Sequence, residues 1–473
     1  MPVDRPAASR NAGLLMDLTV LKGERMSANS FALLLMNLVA LALFATPRDR
    51  SGAGSPTDQT LTVNTVEGLL QAAQNPNTSL IVVQGFLADV PGFRLSPHQS
   101  MRGSSPELSG LKFRPGSDGL ELTSDNSVSS LMLMTAPDRC AIWNDDSVED
   151  LGLLYLGQLK TVGRVRILAR NRIRAGHVEV RDLHIIAADS RAATERPKGF
   201  GVFVIQGAFT LWNQQPDPNV RITADVAGVS AGKVNAPVLG SGIFVGGHGD
   251  DGGSLRMQRL ETGDVYSEGR ITPGTPDLIS GGVFVLHGAN IDLVKNDGPV
   301  STFGANDMAL DNWGKVDRWI AAEKVSTYGP SGIGFVNFGV TREIKLAAPI
   351  ETFGQGARGF NVYAGTVERA EFDRIVTHGD GAVGIQISQP IGKMIVQNGV
   401  ETFGGTGPSL VQGVMQELAA VGLSVKSGGS ARAIFVHGGL KTHRAGVTPL
   451  EQDGSIESLL IEDGFKQERT ETQ

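Results

Sequence analysis

The sequence predicts an all-β fold, a right-handed parallel β-helix. Three observations point there: a 25-residue repeat, short strands set between many glycines, and an alternation that turns one face of each repeat inward. The repeat is counted from Gly304, Gly329, Gly354, Gly379 and Gly404, each 25 residues from the last. Reading back from these glycines gives Val300-Ser301-Thr302-Phe303, Val325-Ser326-Thr327-Tyr328, Ile350-Glu351-Thr352-Phe353, Ile375-Val376-Thr377-His378 and Val400-Glu401-Thr402-Phe403. One column is always Val or Ile, another is always Thr, and the residue between them is Ser, Glu or Val. Side chains alternate across a strand, so the Val/Ile and Thr columns are expected inside a cylinder and the variable column outside. An inward hydroxyl needs a partner, and the next threonine or a turn backbone group is the expected one.

A second block keeps the same register. Val285, Leu310, Phe335, Phe360 and Ile385 form an apolar column, and two residues on lie His287, Asn312, Asn337, Val362 and Ile387, read as a second inward column. A 25-residue turn is too short for paired-helix repeats of about 33 to 47 residues, and the Leu-rich signature of shorter repeats is missing. Three strands of four to six residues, joined by short turns, fit it, and each coil then stacks on the next at about 4.8 Å. The pattern continues with insertions. Gly242-Ile243-Phe244-Val245 anticipates Gly282-Val283-Phe284-Val285, and Leu440-Lys441-Thr442-His443 echoes Val400-Glu401-Thr402-Phe403, both at an interval of 40. The additional residues are expected as loops on the side of the cylinder, where solenoids carry their function.

Ahead of the repeats, Asn64-x-x-Glu67 reads as a capping box before a helix whose Val66, Leu69, Leu70 and Ala73 share a face, followed by a strand, Leu80 to Val83. Such a helix would cap the open edge of the first coil. Residues 56–465 are thus expected to form a single β-helix domain, with residues 1–55 as a leader and 466–473 as a polar tail. The leader holds an apolar run, Phe31 to Ala45, flanked by Lys22 and Arg25. That length suits a signal-peptide core better than a membrane span of about 20 residues. Export or tethering through residues 31–45 and a cytoplasmic location both stay open.

Composition narrows the function classes. A chain of 473 residues with 61 glycines and 6% aromatic content suits many turns. The net charge of −7 offers no general attraction to nucleic acid. Cys140 is the single cysteine, so no intramolecular disulfide and no Cys-rich metal or iron–sulfur centre is expected. No cofactor and no metal are expected, since His177, His184, His248, His287 and His378 lack metal-like spacing.

With its cap helix, the strand Leu80 to Val83 and its 25-residue coils, the chain resembles the pectin-lyase-like β-helix superfamily over about residues 60 to 465. The strings Ser280-Gly281-Gly282-Val283-Phe284-Val285, Gly329-Pro330-Ser331-Gly332-Ile333-Gly334-Phe335-Val336-Asn337 and Gly356-Ala357-Arg358-Gly359-Phe360-Asn361 are similar to a group of bacterial β-helix proteins with no assigned activity. The superfamily includes polysaccharide lyases and glycoside hydrolases. Gly247-His248-Gly249-Asp250-Asp251 resembles two polygalacturonase elements, but here they are contiguous and no Asn-Thr-Asp accompanies them. Arg342-Glu343-Ile344-Lys345 departs from an Arg-Ile-Lys pattern by an inserted Glu. The resemblance therefore bears on fold, and neither string transfers a catalytic role.

Read from the residues, the candidate acids are Asp250 and Asp251 in a glycine-rich insertion and Asp307 and Asp311 about a strand beginning near Met308. Hydrolysis by paired carboxylates needs them about 5 to 9.5 Å apart. Arg342 and Lys345 are candidate charge stabilisers. Trp313, Phe338 and Tyr363 fall in one outward column, and Phe303, Tyr328, Phe353, His378 and Phe403 in another; such columns suit either sugar stacking or mutual stacking. Arg164, Arg166, Arg170, Arg172 and Arg174 form the one basic run, either a solvated face or a strip for an acidic polymer. The leading expectation is a noncatalytic, polysaccharide-interacting β-helix. An enzyme using paired carboxylates, as a lyase or hydrolase, and a structural or adhesive solenoid are the alternatives.

Overall fold

The computed structural model describes residues 59–467. The proposed leader up to residue 55 lies outside the described residues, as do residues 468–473 of the polar tail. The described chain is a parallel β-helix. A 25-stranded sheet supplies two of its walls and a second sheet the third. One coil runs Val325–Thr327, Ile333–Asn337, Val340–Leu346, and the next runs Ile350–Thr352, Arg358–Val362, Thr366–Phe372. Each strand pairs in parallel with its counterpart one coil on: Val325 with Ile350, Phe335 with Phe360, Ile344 with Ala370. Earlier in the chain two walls are drawn by one long strand, as in Ser254–Glu268, which pairs with both Ala289–Asn296 and Val300–Thr302.

The columns hold. Val300, Val325, Ile350, Ile375 and Val400 stack in register and are fully buried. Both 40-residue steps hold too, Ile243 pairing with Val283 and Val400 with Leu440. Between them the coil from Leu278–Val285 to Asp307–Asn312 is two residues longer, so Val283 heads the Leu310, Phe335, Phe360, Ile385 column, and Val285 stands beside Asn312. His287 is therefore not an inward column member and lies in the turn that follows. Asn312 and Asn337 are inward, and Asn312 Nδ2 donates to Asn337 Oδ1 at 3.1 Å, linking two coils inside the core.

A tight corner explains one glycine column. A Cβ on Gly359 would collide with the Ile375 methyl and lie 2.5 Å from the Gly384 carbonyl oxygen. The same place in other coils holds Gly282, Ala309, Gly334 and Gly384. At the start, helix α1 (Val66–Gln74) is capped by Thr65 rather than Asn64: the Thr65 hydroxyl accepts from Gly68 N–H at 3.1 Å. Leu69, Ala72 and Ala73 of α1 join the core beside Ile81 and Val83 of Thr78–Val83. At the other end, Phe465–Gln467 still pairs with Leu440–Thr442, two residues into the predicted tail.

The threonines are inward but unequally satisfied. Thr377 Oγ1 donates to the Ala382 carbonyl at 2.7 Å and Thr442 Oγ1 to that of Val447 at 2.8 Å. The hydroxyls of Thr302, Thr327, Thr352 and Thr402 are buried without a hydrogen-bond partner, so the expected link between threonines is not made. An unpaired buried hydroxyl costs about 1–3 kcal/mol, and a paired one contributes about 1 kcal/mol. Thr352→Val should accordingly raise stability by about 1 kcal/mol and Thr377→Val lower it by about as much. Chemical denaturation of the two variants reads opposite signs if the pairing is as described.

Candidate functional site

The insertions gather on the wall made by the second sheet. Strands Arg164–Ala169, Gly207–Asn213, Ser241–Gly246 and Leu278–Val285 lie side by side there, and the turns leaving their ends form a cleft of about 560 Å³. Arg170, Arg174, Gln214, Gln215, His248 and His287 line it from the coils; Glu195, Arg196 and Lys198 enter from the insertion before Gly207. Arg170 is ion-paired with Asp146 at 2.6 Å and Lys198 with Asp251 at 2.9 Å. Arg174 donates only to the carbonyls of Asn171 and Ile173, and Arg196 to that of Gly201. Neither guanidinium is in an ion pair among the described residues, although the Arg174 charge is felt by Glu149.

Burial pushes the Glu195 carboxyl above its usual range, although Gln214 and Gln206 donate to its two oxygens at 2.6 and 2.7 Å. Burial likewise lowers the pKa of both cleft histidines, with the Lys198 charge adding to the effect at His248. Near neutral pH these rings are uncharged and serve as hydrogen-bonding groups. Among the described residues no group of three or more His, Cys, Asp and Glu is placed to hold a metal ion.

The four candidate acids fall into an exposed pair and a buried pair. Asp250 and Asp251 are exposed, Asp250 at 4.0 Å from Lys315 and Asp251 held low in pKa by its hydrogen bond from Lys198. Asp307 is buried as a structural acceptor: Ser280 Oγ donates to one oxygen, and the N–H groups of Gly269 and Gly304 donate to the other at 3.1 and 2.7 Å. Asp311 is buried on the same strand, four residues on, or about 13 Å along it at ~3.3 Å per residue. Arg342 and Lys345 sit on a strand of the other sheet, paired with Asp317 and Glu371. They do not meet the acids or the rings.

The ring columns are packed against protein. Phe303, Tyr328, Phe353, His378, Phe403 and, one member beyond the expected five, His443 stack face to face with centroids 4.2–5.1 Å apart and planes within 9°. Neighbours cover the faces of the inner rings, which leaves edges for solvent, and a sugar stacks on a face. Trp313 is almost fully buried, with Phe200 from the insertion set edge-on to it at 5.0 Å and against Phe338 at 4.5 Å.

Glu195, Arg196, Lys198 and Phe200 had no signal in the repeat, because they sit in an insertion; the local run Arg196-Pro197-Lys198 was the available hint. Arg170 and Arg174 came from the basic run, but from its turn end. Comparison of the chain with protein-family models, with curated proteins and with solved structures returned no match.

Proposed function

We propose that the protein belongs among the pectin-lyase-like β-helices and binds an acidic polysaccharide in the lateral cleft, without chemical turnover of its own. The observation that carries this reading is the pair of guanidinium groups outside any ion pair, Arg174 and Arg196, beside Arg170 and Lys198 in one cleft. Guanidinium groups suit carboxylate and sulfate in a two-pronged geometry, and the amides of Gln214 and Gln215 can meet hydroxyl groups. The spacing of about 13 Å along the strand between Asp307 and Asp311 favours binding over a mechanism that pairs these two acids.

A glycan array followed by calorimetry, with polyuronates and sulfated glycans against neutral glucans, tests the reading. Acidic chains should bind and weaken as salt rises, and neutral ones should not. Arg174→Gln with Arg196→Gln should weaken binding at least tenfold, since each charge-assisted hydrogen bond is worth about 1.5–3 kcal/mol. Absence of binding to every acidic glycan overturns the proposal.

A further inference from the structure

A second cavity, about 400 Å³, opens on the same wall and shares no lining residue with the cleft. Three insertions build its sides: Phe200 to Val202, Pro276 with Asp277, and Leu410 to Gly413. The last of these is the tip of the hairpin Thr406–Val411, Val414–Ala419. It is tied down where Ser409 Oγ donates to the Gly356 carbonyl at 2.9 Å. The rings of Phe200, Trp313, Phe338 and Tyr363 face the cavity, and Asp311 lies at its floor.

Asp311 is the anomaly. It is 0% exposed, and neither carboxyl oxygen has a well-formed hydrogen bond, the Trp313 indole N–H being the one donor that acts on it. Its immediate strand neighbours in the same column, Phe284 and Val336, are apolar and offer it no donor. Unlike the unpaired threonine hydroxyls inside the cylinder, this acid lines a cavity, and an open acceptor there points to a donor that arrives from outside.

Beyond the Trp313 indole N–H, no group of the described protein supplies a donor to Asp311. Asp277 is exposed at the mouth, and the Trp313 indole N–H, which acts on Asp311, is itself buried without a well-formed hydrogen bond. His287 lies against the Trp313 ring, 5.7 Å between centroids. Arg358 donates to Gln386 and the Gly356 carbonyl, has its Nη2 open and lies 5.9 Å from the Tyr363 ring centroid, and Asp307 is held by Ser280, Gly269 and Gly304.

We propose that this cavity binds a protonated primary or secondary amine with an apolar body, its N–H groups donating to Asp311 and its charge resting among the rings of Phe200, Trp313, Phe338 and Tyr363. Rings attract a cation through their negative faces, and the attraction grows once water is excluded. An N–H-bearing ammonium also satisfies the two open oxygens, which a quaternary ammonium or a carboxylate ligand does not. The site stands apart from the polysaccharide cleft and does not rest on it.

Burial holds the empty site's Asp311 well above the usual carboxylate range, opposed by the hydrogen bond from Trp313, so the resting group is the neutral acid. Binding then breaks the Asp311 O–H bond: the proton leaves to solvent, the electron pair stays on the carboxylate, and the incoming ammonium keeps its own protons. Acid plus ammonium gives the ion pair plus one released proton. Amine affinity should therefore rise with pH, by up to tenfold per unit, until the pKa of the empty site is passed.

The test is calorimetry on the full chain with phenethylamine and hexylamine, beside 2-phenylethanol, 3-phenylpropionate and the trimethylated phenethylammonium. Two buffers of different ionisation enthalpy report proton release. The amines should bind at least tenfold tighter than the alcohol and the quaternary ion, with about one proton released. Asp311→Asn should remove the tenfold preference and the proton release. Leu410→Trp, which fills the cavity while leaving Asp311 in place, should block binding and serves as the second variant if Asp311→Asn misfolds. Failure of both amines to bind, equal binding of the alcohol, or unchanged amine binding in either folded variant overturns the proposal.

Discussion

Ile350→Asp should abolish cooperative folding, whereas Glu351→Lys, one residue away, should cost only about 1 kcal/mol. Ile350 is fully buried between Val325 and Ile375 in the central column. A carboxylate there has no cation and no donor, and burying an unpaired charge exceeds the 4–5 kcal/mol that marks the far tail of single substitutions. Whole-domain stability is only about 5–15 kcal/mol, so the change consumes much or all of it. Glu351 points outward and meets Lys324 and His378. Burial alone would raise its pKa, but these two partners hold it low. A lysine there exchanges two partly exposed attractions for two repulsions, each worth less than about 1 kcal/mol. Thermal and urea unfolding of both variants decides the matter, and equal damage would mean that the inner and outer faces have been exchanged.

The second large effect belongs to Asp307. Burial pushes its carboxyl up to about 6 in spite of the bonds from Ser280, Gly269 and Gly304. A folded-state pKa above the unfolded value of about 3.9 means that the folded protein binds more protons in that window. The contribution from Asp307 is therefore fully present below pH 4 and is lost as pH rises through about 6. A shift of about two units corresponds to about 3 kcal/mol. Asp307→Asn keeps an oxygen for the two N–H groups and turns its amide toward Ser280, so it should gain about 3 kcal/mol on the wild type between pH 4 and pH 7. Asp307→Ala leaves two buried N–H groups and the Ser280 hydroxyl unpaired and should cost about 3 kcal/mol or more. Denaturation midpoints across this range measure both, and a constant wild-type-to-Asn difference at all pH values would remove the titration from Asp307.

Interior columns were legible in the sequence because each position's neighbour is its own repeat: Ile350 must fit Val325 and Ile375, so the chemistry recurs every 25 residues. Legibility failed where that recurrence breaks. Two additional residues displaced Val285 and put His287 in a turn. The threonine column was placed correctly, but hydroxyl partners depend on turn geometry, which spacing does not carry. For the candidate sites the loss was greater. Asp311 was noticed as an acid, but its isolation depends on Phe200, Pro276 and Leu410, which arrive from three insertions with no shared period. The cleft cations Arg196 and Lys198 come from one of the same insertions.

The register of the coils also bears on how the chain assembles. Most β-rich proteins bring together strands far apart along the chain and fold slowly for that reason. Here Val325 finds Ile350, and Ile350 finds Ile375, always across the same short stretch. Once a first pair of coils has formed, each later one between Val300 and Val400 closes a loop of the same 25 residues on a finished template. The slow event is then nucleation, and growth proceeds like a zipper, coil after coil.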